Sequence, residues 1–323
     1  MKIFLSSPGR RVELIKILKN EIDNLVLIGG DYSNTSPALN FCDKSFSLNY
    51  NIDKDYIYQV LEICKKEKVE LIIPLIDPEL KFYSKFKNIF NKNGIDVMIS
   101  SENDILMTSD KIETYNFFKK LNFIETPNTT LLKNFKHIED FSEYVILKPK
   151  EGSGSKGIYK IKKKSVKSFS QLMELDHNSY IVQDYIDFDF EVTTDVFVYN
   201  KKVIELCQRK RLKTRGGEVE RGITIKNEKI NNIIQKIVEL CDFHGVINIQ
   251  IMIKDDSFYI GEINARFGGG FPLSYYAGAN MIEHFNYLIS SDEIEEVFFD
   301  NRYKEEFYML RYDAGIYTDV LDD

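Results

Sequence analysis

The chain opens with an apolar run over residues 2–6 that ends in Ser-Ser-Pro-Gly, after which Val12, Leu14, Ile15, Ile17 and Leu18 recur at helical spacing. This pattern predicts strand, turn and helix. Further apolar runs at 25–29, 71–74 and 96–99 are separated by helical patterns around 56–66 and 80–91. Strands alternating with helices predict a parallel sheet with right-handed crossovers over about residues 1–100. From residue 108 the alternation stops. A helix carrying Ile112, Tyr115, Phe118 and Leu121 ends before Thr126-Pro127, and a strand is predicted over 144–149. Strands at 180–183 and 191–199 follow, then a helix with Ile230, Ile233, Ile234, Ile237, Val238 and Cys241 on one stripe.

Side-chain parity marks the next two strands. Over 245–254, Ile247, Ile249, Ile251 and Ile253 share one face and leave Asn248 and Gln250 on the other, while Glu262 and Asn264 share a face over 258–264. A turn at Asp255-Asp256 folds these strands antiparallel and brings Gln250 within about one residue pair of Glu262. Amide and carboxylate oxygens are hard ligands that suit Mg²⁺ alongside phosphate and water. Arg266, one step further on, is placed to meet such a phosphate. An ordinary solvated sheet face would use the same residue types. Gly268-Gly269-Gly270 shifts the balance, because three glycines are a costly backbone unless something approaches it.

Composition narrows the class. A chain of 323 residues exceeds what one core usually serves, so two or three lobes with a cleft between them are expected. The formal charge of −7 argues against a nucleic-acid partner and leaves small molecules. No apolar run approaches the ~20 residues that a membrane helix needs, and the start of the chain lacks the marks of a signal peptide. The cytoplasm is the expected location, and a homo-oligomer is compatible with all of this. Cys42, Cys64, Cys207 and Cys241 lie too far apart for a zinc knuckle and read as reduced thiols.

Three other stretches carry candidate chemistry. Gly152-Ser153-Gly154-Ser155-Lys156-Gly157 can wrap backbone N–H groups around an anion, with Lys148 on the strand before it, though it is no P-loop. Gln183-Asp184-Tyr185-Ile186 leaves the sheet and frees backbone groups for a base, and Glu191 then offers a carboxylate for ribose hydroxyls. Ser6-Ser7-Pro8-Gly9-Arg10-Arg11 sits where open parallel sheets bind ligands and is placed to touch a second substrate. Asp31 mimics the acidic residue of a dinucleotide site, so a nicotinamide-dependent dehydrogenase is a remote alternative that lacks the glycine fingerprint.

Lys111, Lys148, the glycine loop, the strand exit at 183–186, Glu191, Gln250 and Glu262-Ile263-Asn264-Ala265-Arg266 stand in an order that resembles the ATP-grasp enzymes. The nearest resemblance is to an ATP-grasp module of the carbamoyl-phosphate synthase large chain and its single-module relatives, over about residues 1–290. It implies an α/β protein in three parts. A Rossmann-like pre-ATP-grasp domain would span 1–105, a small lobe with the glycine-rich loop 106–180, and a large lobe with metal and substrate sites 181–323.

The resemblance also implies roles. Lys111, Lys148 and the loop from Gly152 to Gly157 would meet ATP phosphates, and Gln183, Asp184, Tyr185 and Ile186 would read the adenine. Glu191 would hold the ribose, and Gln250, Glu262 and Asn264 one or two Mg²⁺, with Mn²⁺ the alternative ion. Arg266 would hold the γ-phosphate, acting with Lys148 in catalysis. Residues 209–221 depart from the synthase pattern. They gather Arg209, Arg211, Arg215, Glu218 and Arg221 where that family keeps its acceptor, which suggests a loop for an acidic substrate. The implied activity is ATP-dependent ligation of a carboxylate to an amine or thiol through an acyl phosphate. The alternatives are an acyl-phosphate-forming kinase and a non-catalytic nucleotide sensor.

Overall fold

The computed structural model describes residues 1–152, 154, 156–285, 288 and 301–318. Strands β1 (Lys2–Ser6), β2 (Val26–Asp31), β3 (Lys44–Ser47), β4 (Leu71–Pro74) and β5 (Asp96–Val97) form the predicted parallel sheet, in the order β3-β2-β1-β4-β5. The crossover helices are α1 (Val12–Glu21), α2 (Lys54–Glu67) and α3 (Asp77–Asn91). The sheet is sandwiched, so Ile3, Phe4, Leu5, Leu71, Ile72 and Ile73 are all fully buried and the strands read as continuous apolar runs. The strand β3 escaped the pattern because three of the four residues of its sequence, Lys-Ser-Phe-Ser, are polar and it lies at the sheet edge.

The predicted helix is α5 (Lys111–Phe118), and a second helix not read from the sequence, α4 (Glu102–Ser109), precedes it with a break at Asp110. The Asp110 carboxylate accepts the Ile112 N–H at 2.8 Å and starts the second helix as its N-cap. Next comes an antiparallel sheet of β6 (Thr129–Leu131), β7 (Tyr144–Pro149), β8 (Tyr159–Lys162) and β9 (Tyr180–Asp184), ordered β6-β9-β7-β8, with helix α6 (Val166–Leu172) before β9. It has its own small core around Val145, Leu147 and Val182.

The third sheet holds β10 (Phe190–Tyr199), β11 (Lys202–Arg215), β12 (Glu218–Ile225), β13 (Gly245–Lys254), β14 (Ser257–Asn264) and β15 (Tyr308–Leu310), ordered β14-β13-β10-β11-β12-β15. Helix α7 (Glu228–Leu240) buries its predicted stripe, and α8 (Phe271–Tyr276) follows the glycine run. One continuous core joins this sheet to the parallel domain, from Ile3 to Phe285, while the four-stranded lobe keeps its separate cluster. That lobe therefore has the fewest apolar ties to the rest.

The Arg-rich segment expected as a loop is a long hairpin. Its strands β11 and β12 pair antiparallel, and the turn falls at Gly216 and Gly217, whose φ of +58° and +81° lie in the left-handed region. Its alternating residues are polar on both faces, which hid the strand period. The tail over residues 298–323 reads in sequence as a strand with acidic ends; it contributes β15 against β12, and its residues 298–300 and 319–323 lie outside the described residues. Among the described residues no helix is long and apolar enough to cross a membrane.

Candidate functional site

A narrow cleft between the four-stranded and six-stranded sheets is lined by Thr108, Lys111, Lys148, Gln183, Gly261 and Glu262, among others. Lys111 is fixed at the first turn of α5 by the Asp110 cap. Its N–H also bonds the Lys150 carbonyl at 2.9 Å, and its Nζ the Gly152 carbonyl at 3.1 Å. Lys148 stands near the end of β7, opposite Ile181 in β9. Burial first, and then the like charge of Lys111, lower its ammonium to about 8, against the pull of Glu262. The group is therefore charged below pH 8 and neutral above it. If it binds phosphate, kcat/KM for ATP should fall as pH passes 8, and Lys148→Arg should move that fall upward. A flat profile from pH 7 to 9 would remove Lys148 from this role.

The glycine loop connects both lysines to the parallel domain. Gly152, Gly154 and Gly157 hold φ of +111°, +73° and +69°, which other residues adopt at a cost. Glu151 at its start pairs with Lys81 of α3 at 2.6 Å, and Lys150 with Asp110 at 3.1 Å. Lys156 is exposed. Ser153 and Ser155 lie outside the described residues.

Sheet register builds the acidic side. Glu262, Gln250, Thr193 and Arg209 line up across four adjacent strands, and Asn264, Asn248 and Asp195 form the neighbouring row. Glu262 lies directly opposite Gln250 because β14 bulges at Gly261, which also leaves Ile260 opposite the buried Ile251. A Cβ at 261 would sit 3.1 Å from the Gln250 carbonyl oxygen. The Glu262 carboxylate makes no hydrogen bond or ion pair among the described residues. Asn264 donates to Asn248 at 3.3 Å and accepts from Arg266 at 3.4 Å. Arg266 in turn is held at 2.5 Å by Asp77, the first residue of α3. The parallel domain thereby sets the position of a residue in the large lobe.

Several predicted site residues are engaged elsewhere. Arg209 is 2% exposed and forms a bidentate pair with the fully buried Asp195, at 2.7 and 2.8 Å, and Ser274 adds a third bond to that carboxylate. This pair also corrects the reading of the glycine run. A Cβ on Gly270 would lie 2.1 Å from Arg209 Nη1, and one on Gly269 would lie 3.2 Å from the Glu218 carboxylate, so the glycines make room for the protein's own side chains. Arg211 and Glu191, assigned from sequence to different ligands, form one half-buried pair at 3.0 Å. Burial raises the Glu191 carboxyl, and Arg211 opposes that. Arg215 pairs with Asp313 at 2.6 Å on the surface, Glu218 with Arg311 at 2.7 Å, and Arg221 is exposed on β12 beside β15.

The base-reading turn is also more occupied than its sequence suggests. Asp184 accepts from the Ser142 N–H and hydroxyl at 2.7 and 2.9 Å, and Gln183 donates to Thr129 at 2.8 Å. The N–H groups of Asp184 and Tyr185 go to Asn128 and Tyr144. That leaves the Ile186 N–H without a hydrogen bond among the described residues. Asp31 accepts from the N–H groups of Gly9 and Ser33, both at 3.1 Å, so it has no oxygen left over in the manner of a dinucleotide-binding acid.

A cationic group that the sequence did not assemble lies next to Arg266. Arg11 donates to the Leu75 carbonyl at 3.1 Å. Burial, and then Arg266 nearby, lower it to about 10, against Glu218 and Asp77, with Arg311 also within reach. It stays charged at neutral pH. Arg311 touches the Gly269 carbonyl. Arg10-Arg11 was visible as a basic pair after β1, but nothing local marked Arg311.

An ATP-grasp domain profile matches residues 108–270, half of the chain, and a PylC-like N-terminal domain profile matches residues 3–98. The chain is 29% identical over 187 residues to a D-alanine–D-alanine ligase of Petrotoga mobilis, a match covering 53% of this chain and 61% of that one. It is 29% identical over 131 residues to the carbamoyl phosphate synthase large chain of Thermoplasma volcanium, covering 37% of this chain and 12% of the other. In both cases it spans less than two thirds of the relative's length. Among solved structures, the biotin carboxylase domain of Hydrogenobacter thermophilus 2-oxoglutarate carboxylase, in complex with MgADP and bicarbonate, matches with a TM-score of 0.71. That likeness covers 95% of this chain and 73% of the other at 14% identity, and so speaks for the fold. Two lobes closing on one cleft behind a parallel-sheet domain, together with a domain match over half its length, make this chain a member of the ATP-grasp family.

Proposed function

We propose that this protein is an ATP-dependent ligase that activates a small carboxylate, an amino acid or similar acid, as an acyl phosphate and passes the acyl group to an amine. A thiol is the alternative nucleophile. The observation that carries this reading is one cleft with Lys111 and Lys148 on one wall and Glu262 on the other, its carboxylate without a hydrogen bond or ion pair among the described residues, while Arg11 lies near both Arg266 and Arg311. The likeness to a D-alanine–D-alanine ligase supports an amino acid as one substrate. A cytoplasmic location, with small molecules as partners, accords with it.

The residues present fit a divalent cation. Gln250 and Glu262 stand opposite each other and Asn264 two residues along, presenting amide and carboxylate oxygens, and the Glu262 carboxylate makes no hydrogen bond or ion pair among the described residues. Mg²⁺, or Mn²⁺, held there would neutralise charge on the phosphates. The chain's own groups do the rest. Lys111 and Lys148 bind phosphate oxygens, and the glycine loop contributes backbone N–H groups over them. Ile186 offers its free N–H to the base. Arg266, positioned by Asp77, orients the transferring phosphoryl group towards the acid, which Arg11 and Arg311 hold by its charge. A water-poor cleft protects the acyl phosphate from hydrolysis until the nucleophile arrives.

Trapping tests this directly. Protein with MgATP, pooled small carboxylates and hydroxylamine should form hydroxamate. ADP release without hydroxamate from any acid would favour a plain hydrolase, whereas an acyl-phosphate-forming kinase would give hydroxamate and also release ADP with acids alone. Arg311→Ala should raise the carboxylate KM by about 10- to 100-fold, the worth of one charge-assisted hydrogen bond, with KM for ATP nearly unchanged. A rise confined to ATP would move Arg311 to the nucleotide.

A further inference from the structure

A second pocket of about 300 Å³ opens at the carboxyl ends of the parallel strands, lined by Ser7, Tyr32, Asn49, Tyr50, Tyr56 and Ile76 among others. Loops leaving that end of an open parallel sheet commonly enclose a ligand. None of the lining residues is basic, so nothing there attracts an anion. Tyr32 and Tyr50 are 56% and 77% exposed, and their rings meet edge to face with centroids 5.3 Å apart. Two large rings left in solvent present faces that their own fold does not cover.

Behind the pocket lies Glu79, fully buried on α3. One carboxylate oxygen, Oε1, accepts from the hydroxyls of Ser7 and Tyr56, and Oε2 has no hydrogen-bond partner among the described residues. Tyr83 and Tyr56 both reach Ser6, at 2.8 and 2.9 Å, and Asp31 is the nearest other charge. Ser7 and Tyr56 commit their hydrogens to Glu79, and Tyr56 also accepts from Ser6, whose own oxygen takes the Tyr83 hydroxyl, so of the two only the Ser7 oxygen keeps its lone pairs for the pocket. Burial raises Glu79 to about 7, opposed by its bonds to Ser7 and Tyr56. Its folded pKa lies above the ordinary value of 4.5, so the stability linked to its proton is complete below that value and is lost as pH rises through 7. A neutral Gln could fill the same space without this loss.

We propose that the pocket takes the amine substrate as its ammonium cation, with the charge of Glu79 delivered through the Ser7 oxygen and ring faces from Tyr32 and Tyr50. The idea rests on the ligase reading and deepens it by making the nucleophile a primary amine seated on the parallel domain. The site adjoins the phosphate end of the cleft, since Ile76 lines it and the next residue, Asp77, holds Arg266.

The probe is n-butylammonium, titrated into the full chain by saturation-transfer NMR, with butyrate and 1-butanol as the anionic and neutral comparisons. Wild type should bind the cation in preference to both. Tyr50→Ala, at an exposed ring, and Glu79→Gln should each weaken it by about fivefold or more while MgATP affinity stays unchanged. Equal binding of butyrate, or an unchanged affinity in Tyr50→Ala, would overturn the proposal. Glu262→Gln separates the two ideas. It should bind MgATP more weakly yet keep n-butylammonium, and a MgATP affinity unchanged by this substitution would count against the ligase site alone.

Discussion

Glu262→Gln is expected to lower ATP-dependent turnover by about 100- to 1,000-fold while leaving the thermal unfolding curve where it was. The magnitude follows from losing a charged ligand of an ion that stabilises developing phosphate charge by several kcal/mol, each ~1.4 kcal/mol being tenfold in rate. The unchanged stability follows from the site itself. Glu262 makes no hydrogen bond or ion pair among the described residues, and Gln has nearly its volume, so the change removes only an attraction for Lys148 and a repulsion of Glu191, which oppose each other. Raising Mg²⁺ should recover little of kcat. Turnover within threefold of wild type at saturating ATP would show that the hairpin holds no ion.

Asp195→Ala is expected to cost about 3–5 kcal/mol of stability, because it leaves the Arg209 guanidinium buried without its partner. The pair is fully buried, Ser274 bonds the same carboxylate, and Gly270 leaves no room for Arg209 to move aside, so even a water entering the vacated space would leave the guanidinium without its counter-charge. Urea unfolding measures the loss. Replacing both members, Asp195→Leu with Arg209→Met, should return much of it, since two matched apolar side chains remove both charges together. A single variant within about 1 kcal/mol of wild type would mean that Arg209 finds another partner and that the pair is not a fixed part of the large lobe.

How much of this could be read from the sequence depended on the range of each interaction. The parallel domain was legible because both faces of its strands are covered, so each strand is a plain apolar run. The hairpin at β13 and β14 was legible because isoleucines alternate with Asn248 and Gln250, though the bulge at Gly261 that puts Glu262 opposite Gln250 left no mark beyond a glycine. The Arg-rich hairpin was missed because its polar residues occupy both faces. The pairing of Glu191 with Arg211, and of Arg209 with Asp195, links strands whose register sequence alone does not fix. Arg311 was the hardest to see. It reaches Gly269 from 42 residues further along, across a stretch with no helical or strand period to place it. Lone charges on a sequence advertise their type, and only the fold says whether another charge already holds them.

The central claim is that two small substrates are joined at the expense of ATP in the cleft between Lys148 and Glu262. ADP release, followed with MgATP alone, with pooled small carboxylates, with pooled amines, and with both pools, tests it most directly. Sustained release is expected only when both pools are present, slowed about 100- to 1,000-fold in Glu262→Gln under the same conditions. Release at the same rate with neither pool, or in the Glu262→Gln protein, would contradict it.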